Sequence, residues 1–213
     1  ILELGCGGGQ VAAALADLGH VVVVIDVCPA AIANARRLAD ARPKGRLTVI
    51  EGDFYAFEPD GRFDAVCYFD GFGIGTDADQ QALLRRIAGW LADRGRAFIE
   101  VYTLWYWRRA AGRTVTWPGG ARRYDFDDAA SRMLDTWWAT DRDDDPVTQS
   151  LRCYSPEELA SLLAPVDLAI AEIRPGPTYD AETDTLRADV PLTEAMQYTA
   201  VLERRPETNE PRG

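Results

Sequence analysis

Four glycines occupy five positions in Gly5-Cys6-Gly7-Gly8-Gly9, directly after a short apolar run that encloses one acid, Glu3. Glycines between a strand and a helix let the backbone turn sharply and let a ligand approach it closely. The N-terminus of the next helix then points at that ligand. Gly7, Gly9 and Ala12 satisfy the dinucleotide pattern G-x-G-x-x-G/A. Two further acids stand where a nucleotide can use them. Asp26 ends the run "VVVVID", 21 residues after Gly5, where an acid can bind ribose hydroxyls, and Asp53 stands in "GDF" after a third apolar run. The glycines alone admit two classes of cofactor.

Other chemistry has few places to sit. Lys44 is the only lysine and His20 the only histidine, so most Lys- or His-based catalytic constellations are excluded. His20 falls in a turn ahead of "VVVVID", where a residue without catalytic role is expected. Cys6, Cys28, Cys67 and Cys153 are scattered with no CxxC pair. They read as small apolar residues in a reducing cytoplasm, the expected location. The run "DRDDD" (141–145) reads as a solvated loop, and no metal is expected. A net charge of −11 argues against broad adhesion to nucleic acid or anionic membrane, and no apolar run reaches spanning length.

The elements that must position the acids and glycines alternate. Residues 1–4 read as a strand, "QVAAALADLG" as a helix with Val11, Leu15 and Leu18 on its apolar face, and "VVVVID" as a strand covered on both sides. A helix begins at Pro29; "RLTVIEGD" and "FDAVCYF" are strands; "DADQQALLRRIAGWLADRG" is a helix stopped at Gly95; "RAFIEVY" is a fifth strand. Such alternation makes a parallel α/β sheet. Residues 103–152 break the rhythm: they read as short β-like pieces with no helix of useful length. Ser155 and Glu158 then form a capping box, and "VDLAIAEI" and "MQYTAVLERR" supply two last strands. The tail from Pro206 reads as disordered. At 213 residues the chain reads as one domain, 1–213, with 103–152 inserted as a substrate cap. Because it opens on an apparently central strand without Met, an N-terminal segment is expected to be missing.

Neighbours of the glycine loop separate the cofactor classes. Glu3 stands at a strand end that is apolar in dinucleotide folds, and Asp53 is followed by the aromatic Phe54. No Tyr-x-x-x-Lys dyad exists, since Asp40 stands four residues before Lys44. Taken in order, "ELGCGGG", "VVVVID", "GDF", "GRFDAVCYFDGFG" and "LRRIAGWLADRGRAFIEVY" resemble the motifs of class I S-adenosylmethionine-dependent methyltransferases of small-molecule type. The later "RCYSPEELASLL" and "MQYTAVLERR" are similar to that family's last helix and antiparallel strand. The resemblance implies a Rossmann-like seven-stranded, mostly parallel sheet, order 3-2-1-4-5-7-6, with strand 7 antiparallel, helices on both faces and a small antiparallel β insertion after strand 5. It also implies roles. Gly5, Cys6, Gly7 and Gly9 would present backbone to S-adenosylmethionine, with Glu3 orienting the loop. Asp26 would hold the ribose, Val27 would pack on the adenine, and Asp53 and the Phe54 amide would bind the adenine edge. Phe69 and Asp70 would lie by the methionine amine and the sulfonium.

Methyl transfer is an in-line displacement that needs alignment and exclusion of water, and a base only where the nucleophile carries a proton. Asp70 is the first candidate catalytic residue and Tyr102, ending the fifth strand, the second. Five of the six tryptophans fall between residues 102 and 138. "YTLWYW", read as a strand, would carry aromatics on both faces, so Trp105, Tyr106 and Trp107 are expected to line a pocket. That suits methylation of an oxygen, nitrogen or carbon of a small aromatic or apolar molecule, and such rings could also surround a cationic amine. Six arginines of the insertion (Arg108, Arg109, Arg113, Arg122, Arg123, Arg132) either protect strand edges or receive an anionic substrate. An NAD(P)-dependent oxidoreductase and a non-catalytic adenosyl-binding module are the alternative readings.

Overall fold

The computed structural model describes residues 1–43, 45–142, 145–181 and 183–205. Lys44, Asp143, Asp144, Glu182 and the tail from Pro206, which the sequence reads as disordered, lie outside the described residues.

The N-terminal part alternates as the sequence predicts: β1 (Leu2–Leu4), α1 (Gln10–Asp17), β2 (Val22–Asp26), α2 (Pro29–Asp40), β3 (Leu47–Glu51), β4 (Phe63–Tyr68), α3 (Asp77–Trp90) and β5 (Leu91–Tyr102). The insertion holds α4 (Leu104–Ala110), β6 (Thr114–Trp117), β7 (Gly120–Asp127), β8 (Arg132–Ala139) and β9 (Val147–Arg152). The chain then adds α5 (Pro156–Leu163), β10 (Ala169–Pro175), the hairpin β11 (Thr178–Asp180) and β12 (Thr185–Arg187), and β13 (Gln197–Glu203). The seven-stranded sheet runs β3-β2-β1-β4-β5-β13-β10, with β13 antiparallel to both its neighbours. This is the expected order. It departs from the 3-2-1-4-5-6 succession of dinucleotide-binding sheets, because an antiparallel strand is wedged in sixth place.

One core cluster joins β1, β4, β5 and β13 to α3 and α5 through Leu2, Leu4, Leu84, Ile87, Ile99 and Leu159, all essentially inaccessible. Each such side chain contributes about 1.5–3 kcal/mol by leaving water. On the other face α1 packs differently from the reading above. Ala12, Ala13 and Ala16 are buried, while Val11 is 46 % and Leu18 77 % exposed. The glycine loop sets the rotation of α1, and small residues let it lie close to α2: a Cβ on Gly9 would come 2.8 Å from the Ala35 Cβ. α3, capped by Thr76 and Asp79, ends at Trp90 rather than at Gly95. Leu91 already pairs with Phe63 in the sheet, and the register shifts before Ala65 meets Arg96.

The main correction concerns "YTLWYW", which is a helix and not a strand. Thr103 follows β5 and its hydroxyl accepts the Tyr106 amide as an N-cap, so α4 starts at Leu104. Its Tyr106, Trp107 and Ala110 pack with Tyr124, Met133 and Leu151 of an antiparallel sheet, order β6-β7-β8-β9, and with Cys153 just beyond it. Arg132 fastens this sheet to the loop after β4 by donating to the Gly73 and Gly75 carbonyls, both at 3.0 Å.

Candidate active site

The carboxyl ends of β1, β2 and β4 open on a cleft of about 460 Å³, lined by Gly5, Asp26, Val27, Phe54, Phe69 and Asp70 together with Tyr55, Tyr68, Gly71, Ile74, Gly75 and Asp79. Left-handed backbone at Gly5 (φ 60°) and Gly7 (φ 50°) bends the loop back over β2. The Gly5 amide donates to the Ile25 carbonyl at 2.9 Å. Asp26 Oδ2 accepts the Gly7 amide and Oδ1 the Cys28 amide, each at 2.8 Å. Both oxygens keep a lone pair, so Asp26 ties two loops together and can still receive two hydroxyls. These features fit an adenosyl group: an open cradle, a carboxylate with spare capacity and aromatic walls.

The other predicted cofactor residues lie outside the cleft lining. Glu3 is buried beneath the loop, 4 % exposed; it accepts the Ala12 amide and its Oε2 has no hydrogen-bond partner. Burial pushes its carboxyl up to about 7. Cys6 is buried in the core under α1, and burial raises its thiol to about 12, so only its backbone faces the loop. Gly9 is the N-cap of α1. Asp53 is exposed, and its Oδ1 accepts the Tyr55 amide at 2.8 Å.

A second pocket, of about 430 Å³, lies between the sheet and the cap, and Asp70 lines both spaces. Asp70 has left-handed backbone (φ 55°). Its amide donates to Glu100 Oε2 at 3.0 Å, and the Tyr102 hydroxyl donates to its Oδ1. Burial, and then the Asp70 charge beside it, raises Tyr102, which therefore stays a protonated donor. Glu100 is likewise raised by burial, with the Asp70 amide opposing. Trp107, Tyr124 and Trp137 form walls, and Arg122, stacked on Tyr124 and Trp137 at 4.7 and 5.3 Å, is paired in bidentate fashion with Asp135. Asp70 and Glu100 have no such guanidinium partner among the described residues.

Of the aromatics expected to meet substrate, only Trp107 lines this pocket; Tyr106 faces another cavity and Trp105 lines neither. Sequence reasoning missed Glu100 and Asp135; it counted Arg122 among the insertion's arginines, and Tyr124 and Trp137 among its clustered aromatics, without assigning them to this pocket. Of the two missed acids Glu100 alone left a trace, since it lies two residues before Tyr102 and so on the same face of β5.

Sheet order, glycine loop and strand-end acids are similar to those of class I S-adenosylmethionine-dependent methyltransferases. Residues 1–95 match the sequence pattern of a methyltransferase domain. Cypemycin N-terminal methyltransferase of Streptomyces sp is 35 % identical over 131 residues, 58 % of this chain and 51 % of that protein, so the match spans about half of the relative. Among solved structures, the CcbJ methyltransferase from Streptomyces caelestis shares the fold with a TM-score of 0.75 at 20 % identity, over 96 % of this chain and 83 % of that one. The sugar N-methyltransferase KedS8 from Streptoalloteichus sp ATCC 53650 does so with a TM-score of 0.62 at 21 % identity, over 96 % and 79 %.

Proposed function

We propose that this protein transfers a methyl group from S-adenosylmethionine to an amine nitrogen of a small molecule with apolar or aromatic faces. The observation that carries the reading is the acceptor pocket. Its two acids without guanidinium partners, Asp70 and Glu100, stand among Tyr102, Trp107, Tyr124 and Trp137, while its one arginine is already neutralised. Carboxylates and aromatic faces both favour an ammonium group, which narrows the acceptor from the oxygen, nitrogen or carbon the sequence left open. The names of two similar proteins support it: KedS8 is a sugar N-methyltransferase and the cypemycin enzyme an N-terminal methyltransferase.

In this reading the cleft would hold the donor: Asp26 would accept from its ribose, Val27 and Phe54 would face its adenine with Asp53 nearby in sequence, and Phe69 and Asp70 would face its sulfonium end. When bound, the donor supplies an electrophilic methyl carbon and a neutral thioether leaving group. An ammonium has no lone pair to attack with. Asp70, at the junction of the two spaces, would draw the ammonium in and take its proton, which frees the nitrogen lone pair. Tyr102 holds one Asp70 oxygen by donating to it and leaves the other free for the acceptor, and Glu100 adds the second negative charge. The cap excludes water from the transfer. Calorimetry with the donor and with NADH, followed by an amine panel with products detected by mass, tests this. Binding of the donor alone and methylated amines are expected, and Asp70→Asn should lower kcat by about 10²-fold or more. Methylation of hydroxyls but not amines, or full activity of Asp70→Asn, would remove the amine assignment.

A further inference from the structure

Most arginines of the insertion are satisfied by the protein itself. Arg108 pairs with Asp128, Arg122 with Asp135 and Arg123 with Asp125, while Arg132 bonds Ser150 and the loop after β4. Arg109 and Arg113 are different. Arg109 donates to the Thr193 carbonyl at 3.0 Å and Arg113 to the Tyr106 hydroxyl at 3.3 Å, and neither is ion-paired among the described residues.

Both face a cavity of about 780 Å³ between α4 and the β11–β12 hairpin. Tyr106 lines this cavity, whereas Trp107, its neighbour on α4, lines the acceptor pocket. The Arg113 guanidinium sits between the Tyr124 and Tyr179 rings, at 5.2 and 4.9 Å, and its Nε is buried with no hydrogen-bond partner. Rings have replaced part of its hydration and no carboxylate among the described residues is ion-paired with it, so its attraction for an anion is stronger than in water. The acids of the cavity are engaged elsewhere: Glu194 pairs with Arg187 at 3.6 Å, and Asp180 accepts the Thr183 amide at 3.2 Å.

We propose that this cavity binds a phosphoryl or carboxylate anion through Arg113 and Arg109, whose planar forks match such oxygens. The anion is either a charged arm of the methyl acceptor or a separate molecule. The site stands independently of the amine reading.

Titration of the whole chain with inorganic phosphate and pyrophosphate, without donor and at low salt, tests it. Saturable binding is expected, weakened about tenfold or more by Arg113→Gln and severalfold by Arg109→Gln. Arg109 is exposed, so its variant keeps the test open if Arg113→Gln does not fold. No saturable binding by the unaltered protein, or equal binding by both folded variants, overturns the proposal. Kinetics with amines that do and do not carry a phosphate then separate the two sources. A rise in KM at constant kcat for the phosphorylated amine alone assigns the anion to the acceptor. Unchanged KM alongside lost phosphate binding assigns it to a separate molecule. A protein that binds phosphate but methylates nothing keeps this site and loses only the methyl-transfer reading.

Discussion

Two carboxylates near the glycine loop behave oppositely because their surroundings differ. Asp26 is half-buried, with each oxygen receiving an amide; Glu3, beneath the loop, has one oxygen unpartnered. Burial raises Glu3 to about 7, above its ordinary 4.5, so the native state binds that proton more tightly than the unfolded chain. Stability therefore falls as pH rises from about 4.5 to about 7 and levels off beyond. Glu3→Gln is expected to flatten this slope and to exceed the unaltered protein by on the order of 1–2 kcal/mol at about pH 8, with little difference at about pH 5. Denaturant melts at the two values check it; parallel pH profiles would show that Glu3 does not titrate in this window.

At the scale of elements, cap and sheet meet at Gly73. Its φ is 108° and its carbonyl accepts both the Arg152 amide and Arg132, while an added Cβ would lie 2.3 Å from the Arg152 carbonyl oxygen. Gly73→Ala is expected to cost about 2–4 kcal/mol, from backbone strain and overpacking, and to raise the acceptor KM as the cap loosens. Thermal melts and steady-state kinetics measure this. The same junction shows why α4 escaped the sequence reading. Six residues, nearly all apolar, fit either period, and the arbiter was Thr103, whose N-cap role was overlooked.

Across the whole molecule the net charge of −11 sets a negative background, and Asp70 with Glu100 focuses it at the acceptor pocket. Raising salt from about 0.05 to about 0.5 M is expected to raise KM for a cationic amine a few-fold with kcat little changed. A KM indifferent to salt would argue that the pocket's charge does not recruit the acceptor. Among the described residues no helix is long and apolar enough to cross a membrane.

The alternation of strands and helices, the glycine loop and Asp26 were readable in the chain because each depends on neighbours close in sequence: a β-branched run, a turn that needs glycine, an acid at a strand end; the sheet order came from the family resemblance. Asp70 and Tyr102 were also legible, as strand ends facing one rim. The pocket between sheet and cap, the proposed acceptor site, was not. It forms where β5, α4, β7, β8 and β9 converge, and whether Arg122 is free or cancelled by Asp135 depends on strand register. Likewise, only tertiary packing decided that Ala12, Ala13 and Ala16, rather than the larger Val11 and Leu18, form the buried side of α1, because close approach to α2 rewards small side chains over apolar bulk.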